Sequence, residues 1–168
     1  HAAERPQARA VTHRDQSLTY ASFNAEVDRV AASLQRDGLG QGDVIAICAL
    51  SSIPYAVTFL GALRAGVVVT PLAPSSTREQ LQGMVADSGA RLFYVDSAIT
   101  DSLGPFDWFD GELVALDDRA QGRPWSDWLM APGATPQPVT LPPDAPFNII
   151  YSSGTTGLPK GIVQSHRM

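Results

Sequence analysis

An alternation of helix-period and strand-period segments between Tyr20 and Val95 narrows the fold more than any other feature of the sequence. Tyr20, Phe23, Val27, Val30, Ala31 and Leu34 fall on one stripe of a 3.6-residue period, which predicts an amphipathic helix over 20–37. Thr19 precedes it as a candidate N-cap, and Gly38 follows as a left-handed stop. The apolar run 44–49 then reads as a buried parallel strand. Ser51 or Ser52 caps a second helix over 53–64, with Pro54 in its first turn and Gly66 at its end. That helix is apolar on most faces, so it is expected to be largely buried. Residues 67–70 predict the next strand, ended by Pro71. Ser76 with Glu79 and Thr77 with Gln80 both fit a capping box at the start of a third helix. Leu81, Met84 and Val85 form its inner face, Gly89 stops it, and 91–95 make a third strand. Helices and strands alternating at this spacing predict an α/β fold, a mostly parallel sheet flanked by helices.

Glu26, Asp28, Arg29 and Arg36 lie off the first helix's apolar stripe and read as a solvated face. The apolar stretch 53–69 is interrupted by Pro54, Thr58, Gly61, Arg64 and Gly66, so it reads as a buried helix and strand and not as a membrane span. Twelve basic residues against seventeen acidic ones argue against a nucleic-acid surface, which needs a basic face. Cys48 is the single cysteine and excludes an internal disulfide. Its apolar setting predicts a buried, inert thiol, and with no apolar leader in residues 1–17 the chain is expected to be cytoplasmic.

The alternation breaks after Val95. Residues 104–146 hold eight of the thirteen prolines and all three tryptophans, so 96–146 reads as an irregular, Pro-rich connection. A short strand over 113–116 and a short helix over 125–130 are the order expected within it. Asp107, Asp110, Glu112, Asp117 and Asp118 have no regular ligand spacing, and no metal site is assigned. Trp108, Trp125 and Trp128 read as packing anchors.

Two apolar runs, 147–150 and 162–163, then enclose Tyr151-Ser152-Ser153-Gly154-Thr155-Thr156-Gly157-Leu158-Pro159-Lys160-Gly161. Glycines let backbone N–H groups approach an anion, and successive N–H groups form a concave anion site. Hydroxyls add donors, and Lys160 adds a point charge able to reach outer phosphates. The nucleotide-hydrolase P-loop requires Gly, four residues, then Gly-Lys-Ser/Thr, which is not present. The plainer alternative is a Gly/Ser/Thr-rich hairpin loop with an exposed lysine.

The segment from Tyr151 to Gly161 resembles the phosphate-binding signature of the adenylate-forming superfamily. That group comprises AMP-forming acyl-CoA synthetases, aryl-CoA ligases, peptide-synthetase adenylation domains and luciferases. Leu18-Thr19-Tyr20 with Gly42-Asp43-Val44-Ile45-Ala46 resembles a first core region of these enzymes. Gly61-Ala62-Leu63-Arg64-Ala65-Gly66 with Pro71-Leu72-Ala73-Pro74 resembles a second. The wording Ser-Ser-Gly-Thr-Thr-Gly-Leu-Pro-Lys-Gly is most similar to acyl- and aryl-CoA ligases.

The resemblance implies that 1–168 is part of the large N-terminal domain of an acyl-CoA synthetase-like fold. It implies ATP-dependent activation of a small carboxylic acid to an acyl-adenylate, then thioester formation with coenzyme A. By position, Ser152, Ser153, Gly154, Thr155, Thr156 and Lys160 would hold the β- and γ-phosphates, with Mg2+ neutralising the rest. Gly157 and Pro159 would shape the loop, and Tyr151 would pack beneath it. The alternatives are a peptide-synthetase-type domain loading a carrier protein, a luciferase-like enzyme, or a non-enzymatic phosphate-binding module. His166 reads as a helix-start residue behind Ser165, and His13 as solvated. The chain begins at His1 and stops at Met168, within that expected helix. It is therefore read as a fragment, inactive without the remainder of its polypeptide. No catalytic residue, adenine site or acyl pocket is assigned.

Overall fold

The computed structural model describes residues 1–152 and 159–168. A two-stranded antiparallel hairpin, β1 (Arg9–His13) and β2 (Gln16–Thr19), leads into helix α1 (Tyr20–Arg36). The first helix starts where Thr19 Oγ1 accepts the Ser22 N–H at 3.2 Å, and Gly38 leaves it at φ 72°. Strand β3 (Val44–Cys48), helix α2 (Ile53–Ala65), strand β4 (Val68–Pro71), helix α3 (Arg78–Ser88) and strand β5 (Leu92–Val95) follow in the expected alternation. Ser52 caps α2, and of the two candidate capping boxes the one that forms joins Thr77 and Gln80.

Strand β6 (Glu112–Ala115), the two-residue β7 (Arg123–Pro124) and strand β8 (Pro146–Ser152) extend the sheet. Strand β9 (Lys160–Ser165) closes it, in the order β7-β6-β5-β3-β4-β8-β9. All these strands run parallel except β9, which is antiparallel to β8. Chain order reverses around β3: β4 lies on one side of it and β5 on the other.

Residue alternation along the central strands divides the core between the two faces. Ile45, Ile47, Leu92 and Tyr94 meet α1 and α2 on one side. Ala46, Cys48, Phe93 and Val95 meet α3 on the other. Strands buried on both faces read as continuous apolar runs. The two helices on the first face approach closely at Gly61, where a Cβ would stand 2.3 Å from Val30 Cγ1. Among the described residues no helix is long and apolar enough to cross a membrane.

The connection 96–146 contains more order than its composition predicts. The expected strand and short helix are present as β6 and as α5 (Trp125–Trp128), but α4 (Ser97–Leu103) and β7 are additional. With seven residues and Ile99 as its buried member, α4 is too short to show a stripe; Asp96 Oδ1 caps it through the Ile99 N–H. All three tryptophans pack as anchors, and Trp128 is fully buried against Tyr94.

The polar side of α1 is not the solvated face expected. Arg29 Nε donates to the Met130 carbonyl at 2.6 Å, and Arg36 donates to the Trp128 carbonyl at 2.8 Å. Ser33 Oγ accepts the Met130 N–H, and Gln35 exchanges two bonds with the backbone of Gln137. Residues 128–137 run without a strand partner, so their backbone polar groups need donors and acceptors from elsewhere. The α1 side chains supply them.

The helix start expected at Ser165 is also replaced. Ser165 is the last residue of β9, opposite Pro146, and the His166 N–H donates to the Ala145 carbonyl at 3.1 Å. The β-branched pair Ile162 and Val163 continues the ladder through Gln164, and backbone pairing outweighs the Ser cap signal.

Candidate functional site

Of the six residues expected to hold phosphates, Ser152 and Lys160 are described. Ser153, Gly154, Thr155 and Thr156, with Gly157, lie outside the described residues. Ser152 and Lys160 are Cα partners and form the last rung of the β8–β9 ladder. The two residues that flank the loop thus stand opposite one another. Side chains opposite one another on an antiparallel pair share a face, so an exposed hydroxyl and an exposed ammonium stand side by side. Because β8 runs parallel to β4, this rung lies at the carboxyl end of the parallel strands. That is where open α/β sheets bind ligands.

Tyr151 anchors the root of the loop. Its ring packs against the α3-side core, and its hydroxyl donates to Asp87 Oδ2 of α3 at 2.6 Å. Burial, then the bond to Asp87, pushes the phenol above its ordinary range, so it remains a proton donor. Across the ladder it faces Gly161. A Cβ there would come within 3.2 Å of two Tyr151 ring carbons and 3.0 Å of Ile149 Cγ2. A cleft of about 310 Å³ opens beside this root, lined in part by Pro71, Ser75, Ser76, Tyr151 and Pro159.

The other candidates stand apart. His166 lies tilted against Phe147, ring centroids 5.4 Å apart, beyond the far end of β9, and His13 closes β1. Cys48 is fully buried, and burial, with Asp96 adding to it, pushes its thiol up to about 12. It is a packing residue. Among the described residues no three His, Cys, Asp or Glu side chains gather as a metal cluster. Asp87 was not singled out from the sequence. It sits in the last turn of α3, off the apolar face, with nothing nearby in sequence to mark it.

A family model described as AMP-binding enzyme matches residues 1–168. The chain is 32% identical over 168 residues to the fatty acid–[acyl-carrier-protein] ligase ScoC of Streptomyces coeruleorubidus, covering 99% of this chain and 32% of that protein. It is 29% identical over 161 residues to surfactin synthase subunit 3 of Bacillus subtilis, covering 96% of this chain and 12% of that protein. Among solved structures, it superimposes on the N-terminal domain of FACL13 from Mycobacterium tuberculosis with a TM-score of 0.82 at 26% identity. That match covers 98% of this chain and 42% of the other. The chain therefore spans a third or less of the curated relatives it matches. The family model spans the chain from end to end and the fold superimposes on that N-terminal domain, so the chain belongs to the AMP-binding enzyme family, within the adenylate-forming superfamily.

Proposed function

We propose that the protein containing this chain activates a carboxylic acid with ATP, forming an acyl-adenylate and releasing pyrophosphate, and then passes the acyl group to a thiol with release of AMP. The observation that carries this reading is the rung of Ser152 and Lys160 at the carboxyl end of the sheet, in a chain matched throughout by the AMP-binding family. In the reaction the carboxylate attacks the α-phosphorus, and negative charge gathers on the departing pyrophosphate. Donors preorganised on that leaving group lower the barrier electrostatically. Ser152, Ser153, Gly154, Thr155, Thr156 and Lys160 are proposed to hold its β- and γ-phosphate oxygens. Mg2+ would arrive with ATP. With no three-ligand cluster among the described residues, no step is assigned to the ion through this chain.

Coenzyme A is the acceptor we favour, on the wording of the loop, and cytoplasmic location is part of the same proposal. A carrier protein is the second reading, and the likeness to ScoC across 99% of the chain favours it. The test is carboxylate-dependent exchange of labelled pyrophosphate into ATP by the full-length protein, with straight-chain, aromatic and amino acids. Exchange with at least one class is expected, and its absence with all three would overturn the proposal. Lys160→Ala should slow exchange by roughly 10²-fold. Thioester formation with free coenzyme A, or with carrier protein alone, separates the acceptors.

A further inference from the structure

We infer that Asp87 and Tyr151 form a positioning clamp for the phosphate loop, setting where the rung of Ser152 and Lys160 stands relative to the sheet. The inference rests on the proposed phosphate-holding role of that loop. Its own observations are geometric. Strand β8 shares a single register position with β4, Val69 opposite Asn148, whereas it shares six with β9. Beyond Asn148 no further register position with β4 is paired, although the two strands stay side by side, so a side-chain tie at the loop end of β8 adds to the hold of the sheet.

Tyr151, the residue immediately before Ser152, provides it. Its ring leans onto Gly161 of β9, where an added Cβ would press on it, and its hydroxyl continues to the Asp87 carboxylate. One side chain thus touches both strands of the hairpin and α3. At 2.6 Å the bond has the length of a charge-assisted O–H···O⁻ contact, about twice as strong as a neutral one. At its other end α3 is fixed by the Thr77–Gln80 capping box and by Arg78, which donates to the Leu103 carbonyl and to Asp107. The carboxylate therefore sits on a braced helix. Asp87 lies near that helix's C-terminus, where a negative charge is disfavoured by the macrodipole. The phenol proton offsets this, which gives the acid a reason to keep its partner.

The pair does not touch the reacting atoms in this account; it acts through Ser152 and Lys160. A misplacement of about 1 Å at a reacting centre costs on the order of 10²-fold in rate. A partial loosening of the loop root is expected to weaken Mg·ATP binding by about tenfold. The experiment is titration calorimetry of Mg·ATP against the full-length protein and five variants, with the thermal midpoint measured for each. Tyr151→Phe keeps the ring on Gly161 and removes the hydroxyl; Asp87→Ala removes the acceptor. Each should raise the Mg·ATP Kd about tenfold, and the double variant should be no worse than either. Asp87→Asn retains a carbonyl acceptor and should recover most of the affinity. Unchanged Kd in both single variants overturns the clamp, as does a double variant with multiplied losses, or a loss that follows the thermal midpoint and is not rescued by Asp87→Asn. Lys160→Ala is the control for the loop itself. If it binds Mg·ATP and exchanges pyrophosphate normally, the phosphate reading fails. If it is impaired while Tyr151→Phe is not, the clamp alone fails.

Discussion

Truncation of Trp128 to alanine is a severe test of how the segment after β7 is held. The side chain is fully buried, its ring lies 5.3 Å from that of Tyr94 and 5.4 Å from that of Trp125, and its indole N–H donates to Asp37 Oδ2 at 2.8 Å. A buried tryptophan covers about 200 Å², which at ~25 cal/mol per Å² is an upper bound of about 5 kcal/mol. Tryptophan-to-alanine changes in cores cost about 3–5 kcal/mol, cavity included. The lost bond to a carboxylate adds little beyond this, because Asp37 keeps two bonds from Arg36. The expected loss is about 4 kcal/mol. Trp128→Phe retains one aromatic ring but leaves the rest of the indole volume unfilled, so about 2 kcal/mol is expected, mostly from lost packing. Urea titration followed by far-ultraviolet circular dichroism reads both, with an unchanged slope reporting that the unfolded state is unaltered. A loss below about 1 kcal/mol for Trp128→Ala would refute the docking of this segment on α1.

Gly61→Ala should destabilise by about 2–3 kcal/mol in the same titration. The new Cβ would stand 2.3 and 2.4 Å from two Val30 carbons, and helix propensity returns only about 1 kcal/mol; an unchanged midpoint would show that the helices separate freely. Burial raises the Asp117 pKa, but bonds from the Ser97 N–H and hydroxyl and from the Arg119 and Ala120 N–H groups outweigh it, leaving the carboxyl below its usual 3.8. Its contribution is therefore complete above pH ~4 and lost as pH falls through the lower folded value, so Asp117→Asn should flatten the acid limb of the stability–pH curve. An equally steep limb would count against that network. Cys48, with its thiol raised to about 12, should resist a thiol reagent at pH 8 in the native protein and react fully in urea; fast native labelling would contradict its burial.

The central sheet was readable because each of its first three strands is announced twice, by an apolar run and by the cap and stop residues of the helix beside it. Thr19 serves as the expected N-cap, Ser52 and Thr77 are the members of their candidate pairs that cap, and the expected stops Gly38, Gly66 and Gly89 all adopt positive φ. Strand order was not readable, since alternation implies parallel pairing but does not say that β5 returns to the far side of β3. Strand β2 and helix α4 carry too few apolar residues for any period to emerge. Arg29 and Arg36 were misread for a different reason: charge on a helix face predicts solvent unless an unpaired backbone passes it, and that is tertiary information. At the candidate site, residue types marked the loop, whereas the position of its flanking residues Ser152 and Lys160 at the carboxyl end of the sheet emerged only from the parallel pairing of β8 with β4. Asp87, sixty-four positions before Tyr151, has no local signal at all.

The single rung between β4 and β8 has a mechanical consequence. Taken as a lever about Asn148, the β8–β9 hairpin is an arm with Ser152 four residues beyond that point. At ~3.3 Å per residue the arm is about 13 Å long, so a tilt of roughly 4° at the pivot displaces its tip by about 1 Å. Under the proposed clamp, the bond from Tyr151 to Asp87 would limit that tilt and hold Ser152 and Lys160 in place.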